Sequence, residues 1–478
     1  MRKAKIVSTI GPATEDLENM TKLVAAGMDV ARLNRSHGTP EEHAKVYNNV
    51  RAAAKANNKN VAVLVDLQGP KIRLSKFEND EKHYLEDGQI VKIDINVELG
   101  SKQPDGSILV GTTYKGLPGD VKVGDPLLID DGKVKLEAIA VDDTSITAKS
   151  VVSGPISNNK GINLPWAAMA VPALSEKDKE DLRWAVNIGA DLIALSFVRS
   201  AKDYQDALAV MEEEGRVIPV IAKVEKPQAV EALQEIVDAF DGIMVARGDL
   251  AVEMPLEEVP LVQKKCIELC RRAGKPVIVA TQVLETMTDN PTPTRAEASD
   301  CANAILDGAD ATMTSGETSV GKYPILTIET MAKISAYQTE YGYDRIPEIK
   351  DMSREDGGAI IAGAVYTAQK LGAKAIVTYT TSGKSAKLAS RLRPQIPIIA
   401  LAHEEHVRAS LALSWGVEAY TIGKLVSADE IVHVAEETLL KNTDLKKGDT
   451  IVILSGQPIC HKGGTNSVIV HKIGEATE

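Results

Sequence analysis

Aromatic residues are scarce in this chain: 3 phenylalanines, 3 tryptophans and 11 tyrosines, 4 % of 478 residues. Platforms for single-stranded nucleic acid are built from exposed aromatic rings, so the composition argues against that partner. Positive charge is also in deficit, with 55 Lys and Arg against 67 Asp and Glu and a net charge of −12. Such a chain has no general attraction to phosphate backbones or anionic membranes. Any phosphate ligand has to be met by a local cationic pocket or by a metal ion. Only four cysteines occur: Cys266, Cys270, Cys301 and Cys460. Cys266 and Cys270 fall i, i+4 without partners at metal spacing and read as packing residues in a reducing cytosol. No apolar run approaches the roughly 18 residues of a membrane span. The chain enters a strand pattern at residues 5–10 with no apolar leader before it. The expectation is a cytoplasmic protein without signal peptide or membrane segment.

What the sequence has in quantity is alternation. Short apolar runs, each but the third followed by a helical pattern, recur at 5–10, 29–33, 61–67, 191–198, 219–224, 242–246, 276–280 and 309–314. Strand–helix alternation implies parallel strands with right-handed crossovers, and eight units predict a closed (β/α)8 TIM barrel. Thr39-Pro40-Glu41-Glu42 reads as a capping box with proline in the first turn, and Thr294-Arg295-Ala296-Glu297 repeats the box. After the third strand, residues 72–161 are rich in Asp, Gly, Val, Ile and Thr, with strand patterns at 92–95, 127–129 and 145–152. This predicts an all-β domain inserted at the catalytic face of the barrel, placed to act as a lid. A second α/β unit follows, with strands expected at 375–379, 396–401, 417–421, 450–454 and 467–471 as an open sheet. The expected division is a barrel at 1–71 and 162–345, a lid at 72–161 and a C-terminal domain at 346–478.

The expected C-terminal ends of the barrel strands share a chemistry. Strand two ends in Arg32, Asn34, Ser36 and His37, strand three in Asp66, Lys71 and Arg73, and strand four in Ser196 and Arg199. Strands five and six give Lys223, Glu225, Arg247 and Asp249, and strands seven and eight give Thr281, Gln282, Glu285, Thr314, Ser315 and Glu317. Barrel enzymes place their active sites at this face. Charged groups at strand mouths are poor core material. One divalent cation held by Glu225 and Asp249, with Lys223 beside it, suits phosphate and enolate oxygens. Arg32, Arg73 and Arg247 form a cationic set expected to fork onto phosphate. Phosphate, a divalent metal and a lysine suggest phosphoryl transfer. A lyase or aldolase acting through an enolate would use much of the same set, and the residues alone leave both open.

The motifs are long and ordered. Residues 31–38 (ARLNRSHG), 66–73 (DLQGPKIR), 163–165 (NLP), 222–225 (AKVE), 243–249 (IMVARGD), 293–297 (PTRAE) and 315–318 (SGET) resemble pyruvate kinase, and the resemblance covers nearly the whole chain. It implies an enzyme that moves the phosphoryl group of phosphoenolpyruvate to ADP, giving pyruvate and ATP in glycolysis. It implies that Lys223 steadies the phosphoryl group and that Glu225 and Asp249 hold Mg2+, for which Mn2+ would substitute. Backbone amides near Ala246, Arg247 and Gly248 match those that hold the substrate carboxylate. Thr281 matches the threonine beside the protonated carbon, with Ser315 near it. Arg32 and Arg73 match the phosphate-binding arginines. Pro12, Asn34, His37, Arg73 and Lys160 match positions lining the nucleotide site, and Asp130-Asp131-Gly132 matches the lid tip. A homotetramer with a phosphorylated allosteric effector is also implied.

The chain departs from the family pattern in places. Members that need K+ hold it at positions matching Asn34, Ser36, Asp66 and Leu67, and usually carry glutamate in a Gly-Pro-Glu-Ile-Arg motif. Lys71 stands there in this chain, near Leu67, Gln68 and Leu74, as in the K+-independent branch. An ammonium at Lys71 supplies the charge K+ would bring, so K+ is expected to be dispensable. In the C-terminal unit, the turn Thr380-Thr381-Ser382-Gly383-Lys384-Ser385 opens a helix expected to carry Arg391 and Arg393, and resembles the effector loop. It is not a P-loop, because Thr378 stands where the earlier glycine is required. The facing loop at 457–464 lacks the tryptophan and arginine of the fructose-bisphosphate type, so AMP or a sugar monophosphate is as much expected. Arg35, where the family often has phenylalanine, and Trp166, where it often has glycine, have no reading from sequence. A non-catalytic metabolite sensor is disfavoured because Lys223, Glu225, Asp249 and Thr281 stand together.

Overall fold

The computed structural model describes residues 2–165, 171–349, 356–425, 427–458 and 464–475. Eight parallel strands close a barrel in sequential order: β1 (Lys5–Thr9), β2 (Val30–Asn34), β3 (Ala62–Asp66), β4 (Leu192–Leu195), β5 (Val220–Val224), β6 (Gly242–Ala246), β7 (Val277–Ala280) and β8 (Ala311–Thr314), with β8 paired back onto β1. Each coincides with one of the apolar runs. The period of two along a strand separates two cores. In β7, Val277 and Val279 pack outward under the helices, while Ile278 and Ala280 join Val7, Leu64 and Met244 inside the barrel. The interior is plugged from below by Ala412 and Leu413 of the C-terminal domain.

The expected helix starts are present as capping boxes, Thr39 with Glu42 at Pro40–Ala56 and Thr294 with Glu297 at Arg295–Leu306. A further box, Ser175 with Asp178, opens Glu176–Ile188. Cys266 and Cys270 are buried in Val259–Ala273, where burial pushes the Cys266 thiol up to about 12, so it packs and stays protonated. No helix among the described residues is long and apolar enough to cross a membrane.

Between β3 and β4 the chain builds the lid. Its main sheet runs Ile162–Asn163, Pro126–Ile129, Val134–Val141, Ser145–Val152, Ile90–Asp94, Ile108–Val110, Leu99–Lys102 and Lys76–Phe77. It has its own core, including Ile93, Leu127, Ile129 and Ile146. The strands that enter and leave it are tied together: the Ile162 amide donates to the Ile72 carbonyl at 2.9 Å and the Leu74 amide to that of Lys160 at 2.8 Å. The C-terminal domain is an open sheet of β9 (Ala375–Thr380), β10 (Ile398–Ala402), β11 (Val417–Thr421), β12 (Thr450–Ser455) and β13 (Ser467–Lys472), ordered β11-β10-β9-β12-β13 with the last strand antiparallel.

Candidate active site

The inward face of β5 carries Ile221 and then, two residues on, Lys223 at the mouth of the barrel. Lys223 Nζ lies 2.7 Å from Glu225 Oε1, 2.8 Å from Ser196 Oγ and 3.4 Å from Asp66 Oδ1. Burial opposes the ammonium, but the Asp66 and Glu225 carboxylates outweigh burial and raise its pKa above the ordinary lysine value. Burial likewise lifts Asp66, yet Lys223 and Arg32 hold its carboxyl below the usual range. Arg32 Nε reaches Asp66 Oδ2 at 2.7 Å and its NH1 donates to Thr9 Oγ1 at 2.8 Å. At Glu225 burial raises the pKa, Lys223 opposes it, and the neighbouring Asp249 carboxylate adds to the rise.

A carboxylate held up by a second carboxylate is a donor pair that favours a cation. Among the described residues no group of three or more His, Cys, Asp or Glu gathers for a metal. Glu225 and Asp249 would therefore supply two ligands and leave the remaining positions to substrate oxygens and water, the coordination habit of Mg2+.

Lid and barrel enclose a cleft of about 500 Å³ whose walls include Lys71, Arg73, Asp130, Asp131, Lys160 and Asp249. Arg73 NH1 donates to the Asn159 carbonyl at 3.0 Å, and Lys160 pairs with Asp130 at 2.9 Å. Asp130 and Asp131 adopt left-handed φ of 54° and 56° before Gly132 at 83°, which makes the tip a tight turn. Burial, Lys223 and Arg73 together push the Lys71 pKa down, against the pull of Asp249 and Glu225. Around the cleft and its floor Arg32, Lys71, Arg73, Lys160 and Lys223 thus face Asp66, Asp130, Asp131, Glu225 and Asp249, so the cationic and acidic side chains balance. A divalent cation would bring the positive charge that an anionic phosphate ester needs there.

The backbone is strained where it meets this cleft. Phe197, Thr281 and Gln282, just beyond β4 and β7, take φ of 57°, 65° and 53°. For a β-branched threonine this costs about 1–3 kcal/mol and persists only where neighbours impose it. Arg247 imposes it: NH2 donates to the Thr281 carbonyl at 2.6 Å and Nε to that of Ala280 at 3.1 Å, while NH1 bridges both Asp300 oxygens at 2.7–2.8 Å. The Gly248 amide donates to Thr281 Oγ1 at 2.7 Å. This corrects the expectation that Arg247 forks onto phosphate, because its guanidinium is spent on protein oxygens and it fixes the Thr281 turn instead.

The other expected positions fall as follows. Asn34 lies in register with Asp66 across β2 and β3, its Oδ1 accepts the Ser36 amide at 3.1 Å, and the Leu67 carbonyl accepts from Ser196 Oγ at 2.7 Å. The Ser315 amide donates to Glu317 Oε2 at 2.6 Å at the end of β8. Ala246 closes β6 beneath Gly248. Pro12 and His37 are exposed on loops of the same face but are not among the residues walling the cleft. In the C-terminal domain the Gly383 amide, at φ 81°, donates to Thr380 Oγ1 at 2.8 Å and opens Lys384–Ser390. That helix stops before Arg391 and Arg393, which turn into the barrel interface, so they are not borne on the expected helix. Trp166 and most of the facing loop, residues 459–463 with Cys460, lie outside the described residues.

Sequence reading missed the residues that hold these groups. Lys226 and Glu253 form an ion pair of 2.5 Å with side chains 5 % and 1 % exposed, and Asn163 of the lid donates to the same oxygen at 2.8 Å. One contact thereby joins the loop after Glu225, the helix carrying Asp249 and the strand leaving the lid. Arg35 now has a reading. Its guanidinium lies 2.6 Å from Asp181, which also accepts from Lys177, and sits over the Trp184 ring at 4.8 Å. It pins the loop after β2. Asp178, on the same helix, accepts the Gly69 amide at 3.0 Å and pins the loop after β3. A lysine directly after a site glutamate, followed by a helix ending in glutamate, was the one available signal for the first pair.

Known proteins match this chain along nearly its whole length. The profile of the pyruvate kinase barrel domain matches residues 1–328 and that of the pyruvate kinase alpha/beta domain matches 358–471. The chain is 47 % identical over 476 residues to the pyruvate kinase of Corynebacterium glutamicum, spanning 100 % of this chain and 98 % of that protein. It is 48 % identical over 474 residues to that of Mycobacterium tuberculosis, spanning 99 % of each. A solved pyruvate kinase from Cryptosporidium parvum superposes with a TM-score of 0.90 at 33 % identity, over 99 % of this chain and 96 % of that one. The aligned stretches span barrel, lid and C-terminal domain. The chain belongs to the pyruvate kinase family, and its activity is phosphoryl transfer from phosphoenolpyruvate to ADP, giving pyruvate and ATP.

Proposed function

We propose that Lys223, Glu225 and Asp249 form the centre of this transfer, with Arg32 and Arg73 on the phosphoryl oxygens and Thr281 and Ser315 near the carbon that is protonated. The observation that carries the reading is the Lys223 ammonium, held between Asp66, Glu225 and Ser196 directly below the cleft. A divalent cation on Glu225 and Asp249, Mg2+ by donor set, would offset charge on the enolate and phosphoryl oxygens. The bond from phosphorus to the enol oxygen breaks, a bond to the terminal oxygen of ADP forms, and the enolate carbon takes a proton. The Asp66 and Glu225 carboxylates raise the Lys223 pKa and keep its ammonium in place to neutralise charge in transit. In this reading the proton reaches carbon through hydroxyls and solvent on the side of Thr281 and Ser315. Lid closure excludes water that would otherwise hydrolyse phosphoenolpyruvate.

K+ is dispensable in this reading. Asp66, a member of the expected K+ set with Asn34, Ser36 and Leu67, already faces Arg32 and Lys223. Lys71 brings one more fixed positive charge to the cleft. We take residues 1–71 and 162–345 as the catalytic domain, 72–161 as the lid and 346–478 as regulatory, with 380–385 the turn for a phosphorylated effector, in a cytoplasmic homotetramer.

The test is pyruvate formation from phosphoenolpyruvate and ADP with Mg2+, with K+ or a tetraalkylammonium ion. Turnover should change less than about tenfold between the two salts, and Lys223→Met should lose at least about 10³-fold in kcat. A tenfold or greater dependence on K+ refutes the Lys71 reading alone; an active Lys223→Met variant refutes the assignment of the centre.

A further inference from the structure

A second cleft, of about 530 Å³, opens at the other end of the barrel. It lies where the chain enters β3 and β4, between helix Pro40–Ala56 and helix Glu405–Ser410 of the C-terminal domain. Its volume falls within the range of about 300–1,000 Å³ typical of small-molecule sites. Its charge runs against that of the molecule. The protein carries −12 overall, yet Arg51, Lys55, Lys59, Arg216 and Arg408 line this cleft with only Asp191 and Glu405 against them.

Both carboxylates are already used. Arg51 pairs with Asp191 at 2.7 Å and Arg408 with Glu405 at 2.6 Å. Among the described residues Lys55 and Lys59 have no ion-pair partner, and Arg216 makes no ion pair within 4.0 Å, though its charge reaches the Asp191 carboxylate that Arg51 holds. Two of these are oriented by backbone oxygens that leave their charge in place: Arg216 donates to the Val186 and Ala190 carbonyls at 3.3 and 2.9 Å, and Lys59 to that of Val24 at 3.3 Å. The frame is rigid. Arg51 also donates to the Val61 and Gly189 carbonyls and stacks 4.7 Å from the Tyr47 ring centroid. Asn60 Nδ2 donates to the Arg408 carbonyl at 2.8 Å, which ties the barrel wall to the C-terminal wall. A concave wall of one sign concentrates ligands of the other.

We propose that this cleft binds a small multiply charged oxyanion, a phosphate ester or polycarboxylate metabolite, held by Lys55, Lys59 and Arg216 against Arg408. The site is separate from the catalytic cleft and from the turn at 380–385. A ligand there touches both domains at once and therefore responds to, and biases, how the C-terminal domain seats on the barrel.

The test is isothermal titration of inorganic pyrophosphate, and separately of citrate, into the metal-free full-length protein at matched ionic strength. It is repeated with Lys55→Glu/Lys59→Glu and with Ser382→Ala/Lys384→Ala in the other turn. Lys55 and Lys59 are exposed, so the first variant should keep the turnover and melting temperature of the parent. The expected result is a saturable event that weakens at least tenfold in Lys55→Glu/Lys59→Glu and persists in Ser382→Ala/Lys384→Ala. Lys55→Gln/Lys59→Gln, which removes charge without reversing it, should weaken the event less. Weakening of pyrophosphate alone assigns the site to phosphates, of citrate alone to carboxylates, and of both to oxyanions in general. No saturable event in the parent, or equal affinity in parent and charge-reversed variant, overturns the proposal.

Discussion

Asp66 and Asp310 stand at opposite ends of the same barrel, each buried and each held by arginine. Asp66 faces Arg32 and Lys223 beside the cleft under the lid. Asp310 pairs with Arg393 at 2.9 Å and accepts the amides of Trp415 and Val277 at 3.1 and 3.2 Å, in a seam plugged by Leu413. The lower pair joins the C-terminal domain to the feet of β7 and β8 and leaves beside it a cavity of only about 10 Å³. The upper pair stands beside a cleft of about 500 Å³, and the nearby backbone at Phe197, Thr281 and Gln282 is held in a strained conformation. A buried pair with no room beside it is structure. A buried pair beside an open cleft and imposed strain is the mark of a site awaiting a ligand.

The comparison breaks most readily at Asp310. Asp310→Asn keeps the shape but strips the carboxylate from a seam that also buries Arg271, whose pKa is already pushed down to about 10 by burial and by Arg393. Leaving a buried cation without its partner costs about 3–5 kcal/mol. Urea unfolding should therefore shift by that amount, while kcat measured on the folded protein changes less than about threefold. A large kcat loss at unchanged stability would show that the lower seam is part of the chemistry.

Arg247→Met sharpens the comparison from the other side. It removes the donors that hold the Thr281 and Ala280 carbonyls and leaves Lys223, Glu225 and Asp249 untouched. Misplacing a reacting group by about 1 Å can cost as much as about 10²-fold. The expected result is a kcat lower by about tenfold to a hundredfold, with little change in the KM for ADP and partial rescue by Arg247→Lys. A proportional rise in the KM for phosphoenolpyruvate with kcat intact would return Arg247 to the role of a substrate-binding arginine.

Much of this was legible in the sequence because periodicity and catalytic chemistry both leave local marks. All eight barrel strands and the inner strands β9, β10 and β12 of the C-terminal sheet coincide with apolar runs, since a strand covered on both faces has few polar positions to blur it. The edge strands β11 and β13 show instead an alternation of more and less buried positions. Lys223, Glu225 and Asp249 stood out because charge at the end of such a run is unusual. The supports were invisible for the converse reason. Asp181, Asp300 and Glu253 are ordinary acidic residues of amphipathic helices until the fold brings Arg35, Arg247 and Lys226 onto them, 146, 53 and 27 positions away. Arg247 was misread for the same cause: its position named the site, while its partners were fixed only by tertiary structure.

The smallest expected effect belongs to a charge in the lower seam that lacks a partner. Lys3 is 4 % exposed, its Nζ has no hydrogen bond among the described residues, and it lies 5.9 Å from the Trp415 ring centroid. Burial lowers its pKa to about 8, with Glu418 pulling it up and Lys5 pulling it down. Below about pH 8 the lysine is charged in both states and the burial penalty is constant. Between about 8 and 10.5 the unfolded chain binds more protons than the folded one, so this group makes the protein more stable as pH rises, by at most about 1.4 kcal/mol per pH unit. Lys3→Met removes the penalty and the slope together. The variant should exceed the parent in stability by about 1–3 kcal/mol at pH 7, and the gap should narrow steadily in urea unfolding at pH 8, 9 and 10. Parallel curves across that range would mean that Lys3 meets water or an anion in the seam, and that the lower end of the barrel is less tightly sealed than its geometry indicates.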